Sequence, residues 1–163
     1  MNNTNPIIQA SNEHDLANRL VFRIYQAANL IHKTGTKALE RTQITTQQWA
    51  IIGALARPDA YNGIPVGELS KFLLVSRQNL TGVLSRLERD DIIQRVVSPS
   101  DSRSRLIKLS EHGWKIWKNE MQNPIAEFYQ QALDGFSPTD KIHAIHYLDK
   151  MLSNLKQLAE NQE

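Results

Sequence analysis

Apolar residues recur every three or four positions over most of the chain, a spacing that is typical of amphipathic helices. The predicted helices cover about residues 16–40, 45–56, 66–73, 76–89, 110–121 and 137–158. Thr45 or Thr46, Ser76 and Ser110 stand where helix N-caps are expected, and Pro138 supports the start of the last helix. The pattern therefore predicts a mainly α-helical fold that starts after a flexible N-terminus at residues 1–11.

The apolar period changes from 3.6 to 2 after Asp90-Asp91. The segments "IIQRVV" and "SRLIKLS" are rich in β-branched residues, and the eight residues "SPSDSRSR" between their cores form turns and carry two arginines. Residues 64–66 follow an Asn-Gly turn signal and predict one more very short strand. We therefore expect a β-hairpin with a charged tip after the helix over 76–89.

The helix over 76–89 has one apolar and one polar side. Leu80, Val83, Leu84 and Leu87 share one side, and Gln78, Gly82, Ser85 and Arg89 lie opposite, flanked by Thr81 and Arg86. Gln and Asn can pair with adenine, Arg with guanine, and Ser or Thr with bases or phosphates. The candidate DNA-binding residues of this helix are Ser76, Arg77, Gln78, Asn79, Thr81, Ser85 and Arg86.

A polar helix face taken alone is more often a solvated surface. The order of elements favours DNA binding over a solvated surface, because a short helix, a longer helix and an arginine-tipped hairpin form a winged helix-turn-helix. Such a domain places the start of its second helix in the major groove and contacts phosphates or the minor groove with its wing. The sequence thus predicts an α+β winged helix within a mainly α chain.

Composition narrows the function further. The 163 residues suffice for one ordinary domain, and no apolar run is long enough to cross a membrane, so we expect a cytoplasmic protein without a membrane partner. The absence of cysteine excludes disulfides, a thiol nucleophile and thiol-based redox sensing. Net charge is only +2, but residues 63–109 carry 8 basic and 5 acidic side chains, a local excess of +3.

No enzyme motif is present in the sequence. We find no phosphate-binding loop, no nucleophile elbow, no metal-ligand spacing and no carboxylate pair in an apolar setting, so no enzyme and no cofactor are expected. His143 and His146 lie three residues apart, but without a partner set they indicate a structural or surface role rather than a metal site.

The chain resembles the MarR (multiple-antibiotic-resistance regulator) family of dimeric winged helix-turn-helix transcription factors. The resemblance is carried by "TTQQWAIIGAL", "VGELSKFLLVSRQNLTGVLSRLERDDII" and "SDSRSRLIKLSEHG", and it covers about residues 16–158. The sequence departs from the family pattern at Ser102, where many members have a second Arg. It departs again at Asp91, where Gly is usual, so Asp91 is expected to end its helix in the αL conformation.

The resemblance implies roles for the wing and the long helices. In the family the wing Asp holds a neighbouring Arg that enters the minor groove, which points to Asp101 and Arg103 here. Arg105 is a second candidate, with a plain strand-surface arginine as the alternative. The helices over about 12–41 and 110–160 are expected to form a homodimer around the winged helix-turn-helix at about 45–109, within a single domain over 12–163. The alternative is that they only cap the core of a monomer.

A small aromatic effector is the expected signal. The segments "FRIYQAANLIHKTGTKALE", "TTQQWAIIGAL" and "VSRQNLTGVLSRLERD" resemble family members that respond to hydroxycinnamates and related aromatic acids or their thioesters. The ligand candidates are Arg19, Arg23, Tyr25, His32 and Trp49, with Arg for a carboxylate and Trp for a ring. Dimer salt bridges or solvation are the alternatives for the two arginines.

Together these features predict a dimeric regulator of a palindromic DNA operator, acting as a repressor that a small aromatic acid or its thioester releases. Two alternatives stay open. One is a winged-helix module that binds proteins and not DNA, and the other is a regulator that responds to a different signal.

Overall fold

The computed structural model describes residues 6–101 and 103–161, and the side chains from residue 13 onward. The helices are α1 (Pro6–Ala38), α2 (Thr46–Leu55), α3 (Val66–Leu73), α4 (Arg77–Arg89), α5 (Glu111–Lys115), α6 (Gln122–Ala132) and α7 (Pro138–Glu160). The strands are β1 (Ile64–Pro65), β2 (Ile93–Val97) and β3 (Arg105–Leu109). Short 3₁₀ turns cover Glu40–Thr42 and Pro58–Ala60, and a π-helical segment over Ile116–Met121 connects α5 to α6.

The mainly α fold with a small sheet is confirmed. The three strands are antiparallel in the order β1-β3-β2, and Ile107 of β3 stands opposite both Ile64 and Arg95. Strands β2 and β3 form the predicted hairpin, which we call the wing (residues 93–109). The sequence of α2, α3, α4 and the wing is that of a winged helix-turn-helix.

Helix starts follow the predicted caps. Thr45 caps α2 in a capping box, because the Gln48 N–H donates to Thr45 Oγ1 at 3.3 Å and the Thr45 N–H donates to Gln48 Oε1 at 2.9 Å. Ser76, Ser110 and Ser137 accept the capping hydrogen bonds of α4, α5 and α7. These starts are local properties of the sequence, since each needs only the residues of one helical turn.

The start of α1 differs from the prediction. The helix begins at Pro6, so residues 6–11 are helical where the sequence predicted a flexible terminus, while residues 1–5 lie outside the described part. Proline is well suited to the first turn of a helix, because its missing N–H would have no partner there. The mainly polar stretch over residues 9–15 hid this start, since apolar periodicity becomes visible only from Leu16 onward.

The buried core belongs to the winged-helix part of the chain. Its fully covered side chains come from every element around the helix-turn-helix, among them Ile52, Leu55, Leu69, Leu84, Leu87, Ile93, Ile107 and Met121. Contacts divide the chain into two compact units, Met1–Ala126 and Glu127–Glu163. No residue of α7 is buried, which means that this helix makes no closed core within its own unit.

The described residues contain neither a membrane-spanning helix nor a cluster of metal ligands. No helix in this part of the chain is both long and apolar enough to span a membrane. The His, Asp and Glu side chains there form no group of three or more that could hold a metal ion.

Candidate DNA-binding surface and ligand cavity

The turn between α3 and α4 is fixed by local hydrogen bonds. Leu74 ends α3 in the left-handed conformation at φ 55°, and the Ser70 hydroxyl donates to the carbonyl of Val75 at 2.7 Å. Ser76 then caps α4 by accepting the N–H of Asn79 at 3.2 Å. The start of α4 is therefore held in one orientation against α3, as a recognition helix requires.

Helix α4 buries its leucines and exposes its polar side. Leu80, Leu84 and Leu87 are at most 2% exposed, and Val83 is half-buried. The predicted DNA-binding residues of this helix are all exposed: Ser76, Arg77, Gln78, Asn79, Thr81, Ser85 and Arg86. Gln78, Gly82 and Ser85 lie directly opposite the leucines, and a methyl group built at Gly82 would meet no atom of the chain within 4 Å. This outer face can therefore come close to another surface.

Two hydroxyls of the outer face already use their protons. Thr81 Oγ1 donates to the carbonyl of Arg77 at 2.8 Å, and Ser85 Oγ donates to the carbonyl of Thr81 at 3.0 Å. Both oxygens keep lone pairs that can accept a hydrogen bond. In this arrangement Thr81 and Ser85 offer acceptors, which suits a base amino group better than a phosphate.

The tip of the wing is ordered around Asp101. Its carboxylate accepts the backbone N–H of Arg103 at 2.9 Å, its carbonyl accepts the N–H of Ser104 at 3.0 Å, and Ser104 in turn accepts the N–H of Ser98 at 3.0 Å. Arg103 is exposed, and so is Arg105, whose Nη1 lies 3.5 Å from the carbonyl of Ser104. Ser102, the departure from the family pattern, lies outside the described residues. The tip thus presents Arg103 from a turn that Asp101 holds.

An ion pair connects the wing to α4. Nε of Arg95 on β2 lies 3.0 Å from Oε2 of Glu88 near the end of α4, and each side chain is about one third exposed or slightly more. Exposed ion pairs contribute only about 0–1 kcal/mol, so this pair restrains the wing against α4 weakly.

A cavity of about 610 Å³ lies beside α4. It is lined by Ala28, Ile31, His32, Thr46, Gln47, Ala50, Ile51, Leu73, Val75, Asn79, Leu80 and Val83. A smaller cavity of about 190 Å³ shares His32, Gln47 and Val83 with it and is also lined by Arg86. Two residues predicted to contact DNA, Asn79 and Arg86, therefore also face these cavities. The larger cavity has the size and mostly apolar lining of a small-molecule site.

Of the five predicted ligand residues, the structure brings only His32 to the cavity. Its Nδ1 is hydrogen-bonded to the Thr46 hydroxyl, which also lies 3.3 Å from that of Thr36. Thr46, Gln47 and Asn79 supply the other polar groups of the wall, and the sequence analysis assigned none of them to a ligand. Their polar character within the first turns of α2 and α4, next to apolar neighbours, is the signal that could have indicated them.

The other four predicted ligand residues do not line the cavity. Arg19 and Arg23 are exposed on α1, where Arg19 is 4.0 Å from Asp15 and Arg23 donates to Gln26 at 2.9 Å. Tyr25 is 65% exposed, and Trp49 packs against the hydrophobic core. A single chain therefore does not assemble the predicted wall of Arg and Trp around a carboxylate.

The fold, the exposed recognition helix and the arginine-tipped wing define the class of a winged helix-turn-helix DNA-binding protein. Residues 42–104 match the family model described as "MarR family". The chain is 49% identical over 144 residues to the transcriptional activatory protein BadR of Rhodopseudomonas palustris, covering 88% of this chain and 82% of the relative. It is 29% identical to the homoprotocatechuate degradative operon repressor of Escherichia coli, covering 71% and 75% of the two chains.

Solved structures share the same fold. A MarR/EmrR family regulator from Acinetobacter superposes with a TM-score of 0.76 at 20% identity, over 87% of this chain and 98% of that one. The MepR–DNA complex of Staphylococcus aureus gives a TM-score of 0.70 at 24% identity, over 83% and 94%. The chain belongs to the MarR family, and it is a DNA-binding transcriptional regulator of the MarR type.

Proposed function

We propose that this regulator binds a palindromic operator as a homodimer and acts as a repressor that an aromatic acid or its thioester releases from DNA. The observation that carries the proposal is that Asn79 belongs both to the start of α4 and to the wall of the cavity. It lies in the first turn of α4, next to Gln78 on the DNA-reading face, and it also lines the 610 Å³ cavity. A ligand in that cavity touches the recognition helix itself.

The cavity supports coupling between ligand and DNA. Its wall takes residues from α1, α2, α4 and the segment before α4, so a bound ligand packs against the elements that orient α4. Because a ligand shifts an equilibrium only through its different affinity for two states, the ligand must fit the DNA-free arrangement of α4 better than the DNA-bound one. By linkage, DNA then weakens ligand binding by the same factor.

The aromatic class is supported by the lining and by a relative. A mostly apolar cavity with a few hydrogen-bonding groups, here His32, Thr46, Gln47 and Asn79, suits a ring with one polar substituent. The E. coli relative is named for homoprotocatechuate, an aromatic acid. Dimerisation is supported by the apolar side chains that α1 and α7 leave exposed, and a dimer is what two half-sites of a palindrome require.

Transcriptional activation is the second candidate, because the 49% identical relative is named an activatory protein. The two candidates share the operator and the cavity and differ in the effect of the bound protein on transcription. A reporter placed behind the regulator's own upstream region separates them. Deleting the regulator raises expression if it represses, and lowers the ligand-induced level if it activates.

The direct test measures binding to that upstream DNA by fluorescence anisotropy over a salt series, with a panel of aromatic acids and their thioesters. We expect affinity to fall steeply with salt, through counterion release, and one member of the panel to weaken binding. Ala50→Leu, which extends a larger side chain into the cavity, should leave DNA affinity intact and abolish the ligand response. Ala132→Leu, at an exposed position of α6, is the matched control.

Three results would overturn parts of the proposal. Binding that no compound disturbs would remove the aromatic effector and leave the regulator. A ligand response that survives Ala50→Leu would place the ligand elsewhere. Absence of binding at low salt, to this region and to selected random DNA, would favour a protein-interaction module.

A further inference from the structure

Arg77 lies against a glycine of the neighbouring helix. Gly67 belongs to the first turn of α3, and a methyl group built on its Cα would stand 2.6 Å from Nη2 and 3.3 Å from Cζ of Arg77. These distances are too short for any side chain at position 67 to coexist with this placement of the guanidinium. The missing side chain of Gly67 is thus the space that Arg77 occupies.

The charge of Arg77 is available in this position. Within the described part of the chain, no Asp or Glu oxygen lies within 4.0 Å of its guanidinium, unlike the pairs that hold Arg89 and Arg95. Arg77 is the first residue of α4 and is exposed. Its position lies about 100° around the helix from Gln78, toward the flank rather than the centre of the outer face.

A flank position suits a phosphate contact. Residues at the centre of a recognition helix reach base edges, whereas those at its sides meet the sugar-phosphate backbone that borders the groove. A free arginine side chain samples many rotamers and loses that freedom when it binds. Contact with the α3 backbone at Gly67 removes part of this freedom before DNA arrives.

We propose that Gly67 is a positioning residue for DNA binding: by having no side chain, it seats the Arg77 guanidinium on α3, where Arg77 contacts a DNA phosphate. Gly67 does not touch DNA itself and acts only through Arg77. This inference rests on the DNA-binding function and does not depend on the effector. It adds a residue of α3 to a surface that the sequence assigned to α4 and the wing.

The test is a double-mutant cycle between Gly67→Ala and Arg77→Ala. The added methyl meets only the far end of a flexible side chain, so Gly67→Ala should fold and should unfold thermally no earlier than the wild type, as circular dichroism will check. Because both protomers of the dimer carry the substitution, we expect each single variant to lose two phosphate contacts. The salt slope should fall by about 1.8, and DNA affinity by about ten- to hundredfold on all sequences. The double variant should bind no more weakly than Arg77→Ala alone.

Gly53→Ala is the matched control, because a methyl there makes only ordinary contact with Trp117, at 3.6 Å. It should leave affinity and salt slope unchanged. Should Gly67→Ala fold poorly, the double variant shows whether the contact with Arg77 is the cause, because Arg77→Ala removes the side chain that the methyl meets. The proposal fails if a folded position-67 variant keeps the wild-type salt slope, or if the losses of the two single variants add in the double variant.

Discussion

Gly82 occupies the centre of the outer face of α4, where its lack of a side chain has two opposite effects. A helix with Ala at this position is more stable by about 0.5–1 kcal/mol, and the structure offers open space for the methyl. If DNA approaches the backbone here, the same methyl clashes with it, at a cost of about 1–3 kcal/mol. We therefore expect Gly82→Ala to raise the melting temperature and to weaken DNA binding.

Circular dichroism and anisotropy measure these two effects independently. A more stable variant with unchanged DNA affinity would show that DNA does not come close to Gly82.

Gly113 shows the opposite case, a glycine that the fold itself requires. A methyl at this position would stand 2.0 Å from the carbonyl oxygen of Ile92, a backbone atom that also accepts the N–H of Ser110. Neither group can move without breaking the junction between the wing and α5. Gly113→Ala should therefore destabilise the protein by about 3 kcal/mol or more in urea unfolding.

Gly53→Ala serves again as the control for this change, since its methyl meets only the ring of Trp117. A loss of stability below about 1 kcal/mol for Gly113→Ala would mean that the junction can relax, contrary to this packing argument.

Single residues were predictable where their environment is local. Asp91 was expected to end α4 in αL, and its φ of 54° confirms this, since a helix end depends on adjacent residues. Phe72 fits the apolar spacing of α3, but it is 52% exposed and is covered by the Arg57 guanidinium at 3.8 Å from the ring centre. A helical wheel shows the side of the helix on which a residue lies, but not which other residues it contacts. For the same reason it could not show that Asn79 and Arg86 flank a cavity, which depends on how α1 and α2 pack.

Helix α4 and the wing should contribute differently to DNA recognition. Arg103, presented at the tip of the wing, is placed for phosphate or minor-groove contact, so Arg103→Ala should weaken binding to all sequences alike. Gln78, at the centre of the outer face, should read a base, so Gln78→Ala should change preference at one position by about 1–3 kcal/mol. Competition between operator variants with single substitutions measures both effects. A uniform loss for Gln78→Ala would contradict its assigned role.

Elements were predicted well where a cap or a change of period marks them, and less well in their interior. Four helix starts and the β-hairpin follow from local signals, whereas the helix after Ser110 contains an unexpected π-helical segment over Ile116–Met121. Pro124 lies just beyond and has no N–H to donate to the carbonyl of Glu120 within that segment, which accounts for a departure from regular α-helical bonding. Apolar spacing could not show this, because a single wider turn hardly changes the pattern.

At the scale of the molecule, the two longest helices expose many large apolar side chains. Helix α1 exposes Leu16, Leu20, Val21, Phe22, Tyr25, Leu30 and Ile31, and α7 exposes Ile142, Ile145, Tyr147, Leu148, Leu152, Leu155 and Leu158. Large apolar side chains exposed along a helix are typical of interaction sites. The amphipathic pattern of α1 and α7 could be predicted from apolar spacing, but the surface that covers the apolar side could not, because it depends on a partner.

The proposed homodimer requires a second copy of the chain to cover this apolar surface, and a substitution in α7 tests it. Ile145 is 59% exposed on the apolar side of α7, so Ile145→Glu would place a charge in an interface that buries this residue. We expect light scattering to show the wild type as a dimer and Ile145→Glu as a monomer with its winged helix still folded. DNA affinity should then fall by at least about tenfold, because one half-site must bind without the other.

Asn154→Glu introduces the same charge on the opposite, polar side of α7 and should remain a dimer with normal DNA binding. This comparison separates an interface from a general effect of charge on the helix. If Ile145→Glu stays dimeric and binds the operator normally, the apolar side of α7 around Ile145 is not the dimer interface. If the wild type is itself a monomer that binds DNA with full affinity, a single copy suffices. Both the dimer and the palindromic operator would then be wrong.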